Sequence, residues 1–145
     1  NKFNLSFTKM CVREGLIKVM DWWKEVELVE LFSEAAYSGQ WRMLDNLYNN
    51  EYQQASSDLK AFLREMIVHW AASAGQIDVL EWAQDRGMHG DTEMCMWAAT
   101  YGHLHVLQWL QKDGATWDSR VISCAEEGGY NYVVEWAREN GCPEP

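Results

Sequence analysis

Histidines and cysteines are the residues of this 145-residue chain best suited to chemistry, and their spacing argues against it. His103 and His105 flank Leu104. On a helix, side chains two residues apart diverge by about 200°, so a shared metal would need ligands from elsewhere. The reading taken is a His103 that steadies a turn and a His105 on the surface. Cys11, Cys95, Cys124 and Cys142 lie far apart with no CxxC pair, which removes a zinc ribbon or a redox motif. Cys95 and Cys124 fall two residues out of register on successive helices, so thiols are expected rather than a bridge. His89, Asp91 and Glu93 could be drawn as a ligand cluster, but an N-cap at Asp91 followed by an acid in the first turn accounts for them. No nucleophile elbow, phosphate-binding glycine loop or H-E-x-x-H occurs. No catalytic residue, cofactor or metal is therefore assigned.

With 12 Lys plus Arg against 22 Asp plus Glu, the net charge is -10. Such a balance repels phosphate backbones and anionic lipid, which makes nucleic acid and membrane poor partners. The longest apolar runs are only a few residues. The chain is long enough to bury its own core, and a monomer is expected. The location expected is cytoplasmic, or secreted and acting inside a host cell.

Such residues must be positioned by some framework, and the framework is a repeat. "HWAASAGQIDVLEWAQDRG" (69–87) returns as "MWAATYGHLHVLQWLQKDG" (96–114), 27 residues later. Trp82, Trp109 and Trp136 keep that interval, as do Ala71, Ala98 and Ala125, Val79, Val106 and Val133, and Gly87, Gly114 and Gly141. Fainter copies upstream put the phase glycines at Gly15, Gly39, Gly75, Gly102 and Gly129. The result is one domain of five units, approximately 1–24, 25–50, 51–90, 91–117 and 118–145, and a period of this size means a stacked array.

Within a unit the punctuation reads helix, turn, helix. Asn4, Asp91 and Asp118 stand as N-caps, each phase glycine stops the first helix, and Lys112, Arg86 and Arg138 suit the ends of second helices. Asn50 takes the place of the closing glycine in the second unit. Units one and two are expected to join with almost no loop. In unit three Ser57 or Asp58 is expected to cap a first helix lengthened by one to two turns. The three in-phase tryptophans are expected in the core.

These segments resemble the ankyrin repeat, whose helix pair reads H-x-A-A-x-x-G-H-x-x-V-V-x-x-L-L-x-x-G-A. His69 matches the histidine of the T-P-L-H signature, Gly102-His103 the interhelical turn and Gly114-Ala115 the closing pair. A unit is shorter than the usual ~33 residues where the β-hairpin finger would be, and no T-P-L precedes His69. "GATWD" and "GCPEP" are closer to the short, tryptophan-rich ankyrin-type arrays of large DNA viruses, algae and parasitic protists. The resemblance implies an all-α, ankyrin-like solenoid of about five helix-turn-helix units that binds another protein through its inner face.

Carried over by column, that face holds Arg13 and Glu14, Tyr37 and Ser38, Ser73 and Ala74, Thr100 and Tyr101, and Glu127 and Gly128. A second column reads Ser6, Glu30, Met66, Glu93 and Arg120. These positions vary from unit to unit while the core columns do not. Glu30, Glu93 and Glu127 favour a partner with a basic patch. Trp117, in the shortened connection, either closes the seam between units or offers a partner an anchor. Two alternatives remain: a secreted effector that occupies a host enzyme such as a kinase or protease, and an enzyme or metal protein on a helical scaffold.

Overall fold

Seven glycines with φ between 70° and 86° mark where helices stop: Gly39, Gly75, Gly87, Gly102, Gly114, Gly129 and Gly141. The computed structural model describes the backbone from residue 17 and the side chains from residue 23, through residue 145. Among the described residues the chain is all-α. The helices are α1 (Ile17–Tyr37), α2 (Trp41–Leu47), α3 (Ser57–Ala74), α4 (Ile77–Gln84), α5 (Thr92–Thr100), α6 (Leu104–Lys112), α7 (Arg120–Glu127) and α8 (Asn131–Glu139), with a π-helical turn at Tyr48–Tyr52 after α2. Gly15, Asn4, Ser6, Arg13, Glu14 and Cys11 lie outside the described residues.

The interhelical turns share one hydrogen-bond scheme. The amide of the residue after each phase glycine donates to the carbonyl of the column alanine: Gln40 to Ala35 at 2.8 Å, Gln76 to Ala71 at 2.9 Å, His103 to Ala98 at 2.8 Å and Tyr130 to Ala125 at 2.9 Å. This six-to-one closure requires a left-handed residue at the glycine position. The same alanines are fully buried, and their small side chains let neighbouring first helices approach. Successive first helices pack together, α1 on α3, α3 on α5 and α5 on α7; each second helix packs on its own partner, and α2 contacts α4 as α4 contacts α6.

The irregular units obey local physics. Helix α1 runs 21 residues without a break across the expected junction of units one and two, because "DWWKEVELVE" offers neither glycine nor cap. Helix α3 has 18 residues where α5 has 9, a longer extension than expected. Its cap is Ser56, whose hydroxyl accepts from the Leu59 amide at 3.3 Å, rather than Ser57 or Asp58, which sit in the first turn. The added turns carry Arg64, which donates to the Arg86 and Gly87 carbonyls at 3.3 and 3.2 Å and so satisfies the end of α4. Asn50 does not replace a glycine. It lies inside the π turn, no non-glycine residue has positive φ among those described, and without a left-handed stop the helix widens instead of ending.

Asp91 caps α5 as expected, accepting from the Met94 amide at 3.1 Å. Asp118 sits one residue further out than the cap expected of it. Ser119 is the boundary residue, and the Asp118 carboxylate accepts from the Arg120 amide at 2.9 Å. The in-phase tryptophans all pack on the core, but unequally. Trp82 is 5% exposed, whereas Trp109 and Trp136 are only partly buried. For Trp82 and Trp109 the residue nine beyond the preceding phase glycine accounts for the difference, being Tyr48 beside Trp82 and Gln84 beside Trp109. The Tyr48 ring meets Trp82 edge-on at 5.6 Å, and the Arg86 guanidinium covers Trp82 at 4.3 Å from its centroid. Asp45 accepts from both the Trp82 indole, at 3.1 Å, and Arg86.

Candidate protein-binding face

The side of the first helices turned away from the core carries most of the expected face. Helix α5 buries Met94, Cys95, Ala98 and Ala99 and leaves Glu93 and Tyr101 exposed, with Trp97 and Thr100 half-buried. Glu93, Trp97 and Tyr101 are spaced by four and so lie along one stripe, one turn apart. On α1 the corresponding residues are Glu30, exposed, and Tyr37, which is 58% exposed; Ser38 follows it, its hydroxyl donating to the Glu34 carbonyl. Glu127 is exposed at the end of α7, whose last turn lies beside that of α5: a Cβ on Gly128 would come 3.3 Å from the Thr100 carbonyl.

Aromatic rings cluster on this side. His69 of α3 meets Trp97 edge-on at 4.9 Å, Trp97 is nearly parallel to Tyr101 at 6.1 Å and 17°, and Tyr101 to His103 at 6.4 Å and 29°. Tyr101 remains 46% exposed. From the sequence His69 stands out only as the match to the T-P-L-H histidine, and Trp97 belongs to none of the expected columns. The signal lies in the spacing, since Trp97 stands one turn from both Glu93 and Tyr101 and outside the column of in-phase tryptophans.

Two rungs of hydrogen bonds join successive turns and were also missed. One step past the phase glycine, the Gln76 amide nitrogen donates to the Tyr37 carbonyl at 3.0 Å and His103 Nε2 to the Ser73 carbonyl at 2.9 Å. Three steps past it, His105 Nε2 donates to the Gly75 carbonyl at 3.0 Å and the Tyr132 hydroxyl to the Gly102 carbonyl at 2.6 Å. A carbonyl only accepts, so each imidazole carries its proton on Nε2. His103 therefore steadies the turn as expected, while His105 is more than a surface residue. Their rings sit 5.7 Å apart instead of diverging, because His103 caps α6 and lies outside the helical rotation.

Several residues are committed elsewhere. Thr100 turns its hydroxyl back to the Met96 carbonyl at 2.8 Å. Arg120 forms a forked pair with Asp118 at 2.9 to 3.1 Å, and that hydrogen bonding holds the Asp118 carboxyl below its ordinary range. Trp117 is half-buried and packs edge-on against Trp136 at 5.6 Å, the arrangement of a seam between helix pairs. His89 leaves the drawn cluster altogether: its Nδ1 lies 3.3 Å from Asp113, which also accepts from Gln84. Cys95, Cys124 and Cys142 are free thiols. Burial raises the Cys95 thiol to about 11 against a hydrogen bond from Gln111, and burial likewise raises Cys142. Neither thiol is poised as a nucleophile.

Comparison with known proteins finds no matching family model, no matching curated protein and no matching solved structure.

Proposed function

We propose that the chain is a protein-binding module, an ankyrin-like solenoid of about five units that captures its partner on the exposed side of its first helices and does no chemistry. The observation that carries this reading is the side-by-side packing of α1, α3, α5 and α7, which joins residues from separate units into one surface. That surface holds Tyr37 and Tyr101, two of the most exposed large apolar side chains, with Glu30, Glu93 and Glu127 around them. Rigid aromatic area is the usual source of interface energy, and flanking acids select a basic partner and speed its approach.

The test is capture from cell extract by the double variant Tyr101→Ala, Glu127→Lys, with Gln108→Ala on α6 as control. Loss of captured proteins by the double variant alone is expected, with the thermal melt lowered only slightly, since Glu127 is exposed and Tyr101 gives up only its ring contacts with Trp97 and His103. The association rate should fall as salt rises. Normal capture by the double variant would overturn the assignment.

A further inference from the structure

Four ring faces in the described residues are covered by cations of the same chain. Arg42 lies over Trp41 at 5.3 Å, Lys60 over Tyr52 at 5.7 Å, and Arg86 over both Tyr48, at 5.6 Å, and Trp82, at 4.3 Å. The Arg86 arrangement is the fullest: two aromatic rings and the Asp45 carboxylate share one guanidinium. The α5 stripe repeats the rings and the acids. Trp97 and Tyr101 are nearly parallel, Glu93 stands one turn before Trp97, and Glu127 ends the adjacent helix. Here, however, no cation of the described residues lies on the rings. Among the described residues no Lys or Arg covers Trp97 or Tyr101, and Glu93 and Glu127 form no ion pair. Arg120, the nearest cation along the stripe, is held by Asp118 and also lies within electrostatic reach of Glu93, so it is the Tyr101 end of the stripe, beside Glu127, that lacks an internal cation.

We infer that the Trp97–Tyr101 face receives an arginine side chain of the partner, its guanidinium lying on the Tyr101 ring and its charge facing Glu127. This rests on the binding reading above and narrows it from a basic patch to a planar cation. A guanidinium is favoured over an ammonium because it is flat, weakly hydrated and able to stack while donating sideways to a carboxylate. The net charge of -10 supports the same sign of partner, but it is blind to the difference between arginine and lysine; the exposed Tyr101 ring is not, because a planar guanidinium can stack on it.

A blocked peptide carrying two arginines separated by a serine, and its two-lysine counterpart, are titrated into the protein at physiological salt and followed by the amide and indole NMR signals. The arginine peptide should shift the Trp97 indole and Tyr101 amide and bind about threefold to fivefold more tightly than the lysine peptide. Tyr101→Phe should keep that preference and Tyr101→Ala should erase it. Equal affinity for the two peptides, a preference that survives Tyr101→Ala, or no shift at Trp97 and Tyr101 would overturn the inference. If Glu127→Lys weakens both peptides alike while Tyr101→Ala changes nothing, the acidic face stands and only the ring contact falls. If neither substitution alters binding of either peptide, the face itself is the wrong surface.

Discussion

Replacing Trp82 and Trp109 by alanine separates what the 27-residue period says from what burial says. The period treats the two alike. The structure leaves Trp82 5% exposed and Trp109 partly buried beside Gln84, Lys112 and Asp113. Burying ~200 Å² of tryptophan at ~25 cal/mol per Å² contributes about 5 kcal/mol, an upper bound because the unfolded chain is not fully extended. Trp82→Ala also removes the Tyr48 edge contact and the platform under Arg86. The indole bond to Asp45 is lost too, although Asp45 keeps Arg86 and is partly exposed, so little orphan cost follows. A destabilisation of about 3–5 kcal/mol is expected for Trp82→Ala and roughly half that for Trp109→Ala. Urea unfolding followed by far-UV circular dichroism measures both, since nine tryptophans confuse fluorescence. An unchanged slope would confirm that the two variants unfold as the parent does. A Trp109→Ala cost equal to or above that of Trp82→Ala would refute the reasoning, and periodic position rather than the Tyr48 lid would then decide burial.

Gly102→Ala should destabilise far more than Gly129→Ala. Both have positive φ, 70° and 75°, a strain worth about 1 kcal/mol, but a Cβ at Gly102 would lie 2.5 Å from the Tyr130 ring and 2.7 Å from the Tyr132 hydroxyl, while at Gly129 nothing lies within 4 Å. Equal thermal melts for the two variants would mean that the Tyr130–Tyr132 contact gives way freely. For Cys95, a thiol raised in the fold favours the protonated form there, so its contribution is present below the unfolded value of 9.0 and is lost as pH rises toward about 11. Stability of the parent should therefore drop across that window, by less in Cys95→Ala, and native Cys95 should react with a thiol reagent much more slowly than exposed thiols. Fast labelling at pH 8 would contradict its burial.

The helix-turn-helix punctuation was legible in the residues because it is local. A left-handed glycine closes its turn with atoms five residues apart, and Asp91 caps α5 with an amide three residues away. The absence of any stop between Ile17 and Tyr37 was equally visible. Where a substitute had to be guessed the reading slipped, as at Asn50, because asparagine tolerates the left-handed region without demanding it.

What the sequence determined by itself was the period, the all-α character, the turn glycines and the alternation of constant and varying columns, all consequences of backbone preference and of apolar spacing within one unit. Only the tertiary structure decided how one unit meets the next. Whether a tryptophan is sealed depended on Tyr48 or Gln84 arriving from the preceding pair, and whether His105 is idle depended on the Gly75 carbonyl, 30 residues back. Trp97 became part of an exposed aromatic stripe because His69 from α3 meets it on one side while Tyr101 stays open on the other. The physical reason is the same in each case: burial and hydrogen bonding across a stack are set by the neighbour's side chain, and a repeat read along one strand of sequence shows its own columns but not which atoms the adjacent column will bring against them.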